Sequence, residues 1–338
     1  MKAYAAIDLH SNNSVLSVID EHGAQLHDHR YPNELPVLIE ALGPYRETLA
    51  GVVVESTYNW YWLVDGLMDA GFKLHLAHTP AVPQYAGLKH GDDHTDARHL
   101  ANLLRLGILP EGFIYPRGQR AVRDLLRNRS RLVRQAVRQM LSLQSLWTRH
   151  TGQRLSANAV KRLSEEELAP VFSDANVRQS AAVTLKLWRL LHEEAAVLER
   201  SVLQQMRPAP ALMHLRTTPG IGPVLGLTIL LETGDIQRFA HVGDYASYCR
   251  CVESKRLSNG KQKGRGNAKC GNRYLAWAYI EAANYAIRFS EPVQRWYQRR
   301  RAKGHRLVAL KAVAHKLARA CFHMLREGSD FDVERAFA

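Results

Sequence analysis

The stretch GVVVES, residues 51–56, narrows the possible folds more than any other. Three consecutive valines suit a strand buried on both faces, which is the signature of a sheet covered by helices. Yet the run ends in an acid, Glu55. A carboxylate that closes an apolar strand is costly to place unless something neutralises it. The same pattern occurs earlier, where the compact apolar run YAAID ends in Asp8.

The flanking sequence supplies the rest of an α/β domain over residues 1–115. SVLSVID and AQLHDHRY alternate as strands, and LHSNN and EHG read as turns between them. Residues 3–31 therefore predict an antiparallel meander. NELPVLIEALGPY and TYNWYWLVDGLMDAG have helical spacing, the second ending at Gly71, and FKLHLA reads as a further strand. Strand and helix alternating after a meander predict a mixed sheet. From Asp93 to Leu106 the pattern is helical again.

After Pro116 the chain changes character. Residues 117–149 carry nine arginines and one acid, Asp124, while Leu126, Val133, Met140 and Trp147 recur every seven residues. This predicts a long helix with an apolar stripe and a cationic flank. A second long helix is expected over about 178–206, with Leu187, Leu191, Ala195, Leu198 and Val202 as its apolar positions. The two together suggest an antiparallel hairpin or a coiled-coil contact between copies, filling a middle domain over 116–207. MRPAPA then breaks the helix.

A mainly α-helical domain over 208–328 follows. Gly220-Ile221-Gly222 lies between helical patterns as in a helix-hairpin-helix turn, whose backbone amides can meet a phosphate. Three later helices are expected, two of them basic, and residues 329–338 read as a loose tail.

The net charge of +14 points to nucleic acid as partner. No apolar run approaches the ~20 residues of a membrane span. MKAYAAIDLH breaks into acid and imidazole too early for a secretory signal, so a soluble cytoplasmic protein is expected. Cys249, Cys251, Cys270 and Cys321 lack the paired spacing of a zinc site and read as reduced, packed thiols.

Asp93 and Asp96, three apart, share a face at the start of their helix. With Asp8 and Glu55 they form a set of hard oxygen donors suited to Mg²⁺, and two such ions about 4 Å apart serve phosphodiester chemistry. Taken singly, each acid also reads as a helix cap, a first-turn acid or a turn residue. The order Asp, Glu, Asp-x-x-Asp is that of the metal ligands in RNase H-like nucleases of the RuvC type.

The segment SNGKQKGRGNAKCGNR, 258–273, holds five basic side chains, four glycines and no acid. Ser258 at its head is a weak nucleophile unless activated. Attack on a DNA phosphate would leave a phosphoserine link and a free 3′ hydroxyl, while the flanking cations hold the phosphodiester. A plain phosphate-binding loop with Ser258 as a turn residue is the simpler alternative, and Ser254 is a second serine nearby. Candidate nucleic-acid contacts are Arg117, Arg120, Arg123, Arg127, Arg131, Arg134 and Arg138 on the helix. Lys255, Arg256, Lys261, Lys263, Arg265, Lys269 and Arg273 are their counterparts in the segment. The helix could hold A-form RNA by its phosphates and shape, or be a solvated face. Trp60, Trp62, Tyr274, Trp277 and Trp296 could stack on bases, though helical spacing among apolar residues favours core positions.

The motifs IDLH, VVVEST, DHTDARHLANLL, TTPGIGPVLGLTIL and SNGKQKGRGNAKCGNRYL, in this order, resemble transposases of the IS110 insertion-sequence family, the bridge-RNA-guided recombinases. The resemblance spans nearly the whole chain. It implies an N-terminal RuvC-like domain with Asp8, Glu55, Asp93 and Asp96 on Mg²⁺, a coiled-coil middle, and a C-terminal transposase domain in which Ser258 attacks DNA. It also implies a structured non-coding guide RNA whose loops pair with target and donor DNA. Related proteins work as tetramers in which one protomer's acids meet another's serine, and a nucleoid-associated place in a bacterial cytoplasm is expected. CRCVESKRLSNG departs from the family's more usual run before the serine, and Asp92 adjoins Asp93. A hydrolytic structure-selective nuclease and a non-catalytic RNA-binding scaffold are the competing functions.

Overall fold

The computed structural model describes residues 1–82, 92–206, 209–252, 255–265 and 270–338, apart from the side chains of 255–257 and 265. They fall into two compact units, one of Met1–Ile114 with Cys270, the other of Tyr115–Gly266 with Gly271–Ala338. No helix among the described residues is long and apolar enough to cross a membrane.

The first unit is a mixed sheet with helices on both faces. The meander is present as β1 (Ala3–Leu9), β2 (Asn13–Asp20) and β3 (Gln25–Pro32), each antiparallel to the next. Helix α1 (Leu35–Leu42) leads to the valine strand β4 (Leu49–Glu55), which lies parallel to β1. Helix α2 (Tyr61–Asp69) leads to β5 (Leu74–Ala77), parallel to β4, and a two-residue strand β6 (Glu111–Gly112) closes the edge. The strand order is β3-β2-β1-β4-β5-β6.

Alternation along the strands divides the core. Ala5, Ile7, Leu9, Val52 and Val54 pack with Leu38, Leu63 and Leu67 from α1 and α2. Ala6 and Val53 face the other way, onto Leu100, Ala101 and Leu103 of α3 (Asp93–Arg105). Both faces of β4 are thus dry, as three successive valines require.

The second unit is helical. Helices α4 (Arg117–Thr151) and α6 (Ala175–Met206), joined through α5 (Ala157–Arg162), pack along their length. Leu126 clusters with Val202, Arg129 pairs with Glu199, and Leu143 clusters with Leu185 and Trp188, so the pair is antiparallel within one chain. Next come α7 (Pro210–Arg216), α8 (Pro223–Thr233) and α9 (Val242–Tyr248), then a hairpin of β7 (Lys255–Ser258) and β8 (Lys261–Arg265). The unit closes with α10 (Arg273–Phe289), α11 (Glu291–Arg301), α12 (Arg306–Glu327) and α13 (Val333–Phe337). Its core brings together Ile229, Tyr245, Tyr279, Val313 and Leu317.

Two expectations are corrected here. Residues 329–338 are no loose tail: Asp332 caps α13, and Phe337 is buried against Trp296, ring centroids 5.7 Å apart. The basic segment is also no plain loop. Ser258 pairs with Lys261 across Asn259 and Gly260, both with positive φ (51° and 70°), the backbone of a type I′ hairpin turn. Cys249, Cys251 and Cys321 are free and buried, and burial pushes the Cys251 and Cys321 thiols up to about 12. They are packed thiols.

In the Pro-Gly-Ile-Gly connection between α7 and α8, Gly220 has φ +87°, and a Cβ there would lie 2.3 Å from the Ala282 carbonyl oxygen of α10. Gly220→Ala is therefore expected to cost on the order of 3 kcal/mol in denaturant unfolding, whereas Gly222→Ala, with open space at its Cβ, is mild.

Candidate functional site

The acids meet because of register. In the parallel β1–β4 pair, Ile7 lies opposite Val54, so the next residues, Asp8 and Glu55, are neighbours. Alternation turns both toward the α3 face of the sheet, because Ala6 and Val53, two residues earlier on each strand, pack there. Helix α3 brings its first turn to the same place. Asp92 is spent as its N-cap, accepting from the Thr95 amide (2.8 Å) and hydroxyl (2.7 Å). That leaves Asp93 and Asp96 to face the strand ends, and separates the adjacent Asp92 and Asp93 by role.

Proximity shows in the protonation equilibria. Burial raises the Glu55 carboxyl to about 8, reinforced by a hydrogen bond with Asp8 and by the charges of Asp8 and Asp96. Asp96 is raised as well, first by burial and then by the charges of Asp8 and Asp93. Asp93 goes the other way: its hydrogen bond from Arg30 is the main reason its carboxyl sits below the ordinary value.

Two members of this site carry no signal that sequence reading used. His10 places Nε2 3.4 Å from Asp8 Oδ2 and 3.2 Å from Asp93 Oδ2, and Asp8, His10 and Asp93 form a group able to hold a cation. Asn33 and Asn59 fix this corner by donating to the His10 carbonyl at 3.0 and 2.9 Å. Arg30 on β3 reaches Asp93 at 2.7 Å and Asn13 at 2.6 Å. His10 closes the IDLH motif two residues after Asp8, where LHSNN reads as a turn.

The donor chemistry fits a divalent cation. Asp8, His10 and Asp93 come within reach of one ion, and Glu55 and Asp96 beside them add carboxylates whose charge a cation would offset.

Ser258 belongs to the second unit, exposed, at the first position of the hairpin turn. The ends of its segment are anchored. Arg250, in the left-handed region (φ 55°), donates to the Gly271 carbonyl through Nε (3.1 Å) and Nη2 (2.8 Å). Asn272 donates its backbone amide to Tyr248 and caps α10 through the amides of Tyr274 and Leu275. Its Nδ2 reaches Oε2 of the buried Glu232 at 2.7 Å. Ser254 and Lys269 lie outside the described residues, as do the side chains of Lys255, Arg256 and Arg265.

The arginines of α4 divide by burial. Arg117, Arg131, Arg134 and Arg138 are exposed, as are Lys261, Lys263 and Arg273 in and after the hairpin. Arg120 and Arg123 are buried, with Arg123 3.8 Å over the Tyr115 ring. Arg127 grips Glu232 with both ends of its fork, at 2.6 and 2.7 Å. The expectation that these three present charge to nucleic acid is corrected: a charge count along a helix does not say which cations neutralise an acid on a packed neighbour.

Two measurements follow. Arg127→Ala leaves the Glu232 carboxylate buried without its counter-charge and should lower stability by about 3–5 kcal/mol, whereas Arg134→Ala should shift it by less than about 0.5 kcal/mol. For Glu55, a raised folded-state pKa means stability that is complete below about 4.5 and lost as pH rises through about 8. In chelator, melting temperature should therefore fall between pH 5 and pH 9 more for the wild type than for Glu55→Gln. Mg²⁺ at pH 8 should raise it for the wild type alone.

Residues 5–151 match the IS110-type DEDD transposase domain, and residues 212–298 match the Transposase IS116/IS110/IS902 family. The insertion element IS110 uncharacterized 43.6 kDa protein of Streptomyces coelicolor is 28% identical over 144 residues, 42% of this chain and 35% of that protein. The insertion element IS116 uncharacterized 44.8 kDa protein of Streptomyces clavuligerus is 25% identical over 130 residues, 38% of this chain and 33% of that protein. The aligned stretch thus spans about a third of the length of these curated relatives. With both domains present in order, the chain belongs to the IS116/IS110/IS902 family of transposases.

Proposed function

We propose that the chain cuts and rejoins DNA strands in the transposition of an insertion sequence, using a Mg²⁺-holding acidic quartet and Ser258 as nucleophile. The observation that carries this reading is the meeting of Asp8 and Glu55, on parallel neighbouring strands, with the first turn of α3. The sheet order, with an antiparallel meander continued by two parallel strands, supports an RNase H-like domain of the RuvC type.

When bound, Mg²⁺ would polarise the phosphodiester and offset its developing charge. The chain's residues do the rest. Asp8, Glu55, Asp93 and Asp96 would hold the ion, Arg30 and His10 hold Asp93 in place, and Lys261 and Lys263 steady the phosphate beside Ser258. The Ser258 oxygen forms a bond to phosphorus as the bond to the 3′ oxygen breaks. The serine proton leaves and the 3′ oxygen gains one. Attack by another strand's 3′ hydroxyl reverses the step and frees the serine. A hairpin clasped at its base by Arg250 and Asn272 supports a nucleophile role better than an unanchored loop does.

The exposed Arg131, Arg134 and Arg138 on α4 support a structured guide RNA held by its phosphates, leaving target choice to base pairing. The working form is an oligomer, a dimer or tetramer, with 1–115, 116–207 and 208–328 as its functional parts.

Incubated with Mg²⁺ and DNA from the ends of its own element, the wild type should give a denaturant-resistant protein–DNA adduct that maps to Ser258. Ser258→Ala should abolish adduct and rejoining, a loss of about 10³-fold or more, while DNA binding is kept. Asp8→Asn and Asp96→Asn should do the same. Strand cutting that persists in Ser258→Ala without adduct would replace this reading with hydrolysis by the quartet.

A further inference from the structure

One face of α10 is aromatic and uncovered. Trp277, Tyr285 and Phe289 are 40%, 47% and 69% exposed, and with Glu281 they occupy every fourth position of the helix. Such spacing puts them on one face, over about 18 Å of helix. Tyr285 and Phe289 are parallel to within 9°, with centroids 6.3 Å apart. Across from them runs the Thr217–Pro223 connection, and together they enclose a cleft of about 650 Å³. Three exposed aromatic rings along one cleft are more than a soluble surface ordinarily leaves bare.

The charges around the cleft say what covers it. Arg216 is exposed on one wall, the Arg288 guanidinium sits 5.2 Å over the Phe289 ring, and Arg129, which also lines the cleft, is already paired with Glu199. Glu281 is the one acid among the lining residues. Flat rings for stacking, edged by cations, match a strand whose bases are unpaired and whose phosphates are charged. A duplex hides the faces of its bases, so rings of this kind cannot stack on it. A second copy of the chain would bring a further charge of +14 to a cationic rim.

We infer that this cleft binds an unpaired stretch of DNA by stacking its bases on Trp277, Tyr285 and Phe289. The choice of DNA rests on the reading of Ser258: Asn272, which closes the Ser258 segment, is also the cap of α10, and Trp277 lies in the first turns beyond it. Among the tryptophans and tyrosines singled out in the sequence, Trp277 is the exposed one, while Trp60 is buried and Tyr274 lies under Arg127. Glu281 at the centre of the face is placed to accept from the amino group of a stacked base.

The test uses the full chain in chelator, where nothing is cut, with a 12-nucleotide DNA carrying 2-aminopurine, as single strand and as duplex. The single strand should bind with quenching of the probe. Trp277→Ala and Phe289→Ala should each weaken it roughly tenfold while changing duplex affinity less than about twofold. Phe289 is 69% exposed, so the melting temperature of its variant should hold, which controls for packing lost at the half-buried Trp277. Equal losses on single strand and duplex, or no loss on either, would overturn the proposal. Tighter binding of RNA of the same sequence, lost in the same variants, would assign the cleft to RNA instead. A fall in sedimentation coefficient with oligonucleotide affinity intact would make the face a contact between copies. Ser258→Ala binds as the wild type does in this assay whatever its chemistry, so failure here and failure of the nucleophile are told apart.

Discussion

The constraint on which the first unit turns is the placing of like charges at the end of a dry sheet. Asp8 is 4% exposed, and Glu55 beside it is raised to about 8 by burial and by Asp8 itself. Nothing in the packing of β1 and β4 calls for this. Threonine or valine at either position would suit the same strands and remove the repulsion. The surroundings are built to tolerate the acids. Arg30 comes from β3, His10 from the turn after β1, and two asparagines hold the His10 carbonyl. A sheet that carries unfavourable charge, and devotes three other elements to holding it, suits a ligand of opposite sign.

A second buried charge serves a different end. Glu232, at the end of α8, accepts both arms of Arg127 and the amide of Asn272. Here the acid is fully paired, so the node ties α4, α8 and the start of α10 together. It also stands at the foot of the Ser258 segment. The two carboxylate sites of this chain thus differ in kind. One is compensated from within and holds the helices together, and the other is left partly uncompensated where a cation can enter.

Much of the first unit was legible, because strand alternation and helix spacing are local. The meander, the valine strand and α3 fall where their apolar patterns put them, and register then brings Asp8 beside Glu55. Arg30 was not legible, since its partner is 63 residues away and no local pattern marks a counter-ion. The hairpin was legible in part: Asn-Gly is the strongest short signal for a type I′ turn, but the same glycine-rich, charged run also fits a plain phosphate-binding loop. The end of the chain misled for a related reason. SDFDVERAFA is short and polar enough to read as tail, and only the packing of Phe337 against Trp296 makes it a helix.

Net charge is the property most easily overread. A charge of +14 and nine arginines in one helix suggest a continuous cationic face. In the folded chain, part of that charge is consumed internally: Arg120 and Arg123 are buried, Arg123 lies against Tyr115, Arg127 neutralises Glu232, and Arg129 pairs with Glu199. Beyond Arg117 at its start, the exposed cations resume at Arg131, Arg134 and Arg138, past the stretch that packs on α8. The same helix therefore does two jobs in sequence. Its first half neutralises the acids of its neighbours and so fixes the base of the Ser258 segment, and its second half leaves charge in solvent. Stability and nucleic-acid affinity should separate along α4 for this reason, with the crossover between Arg129 and Arg131.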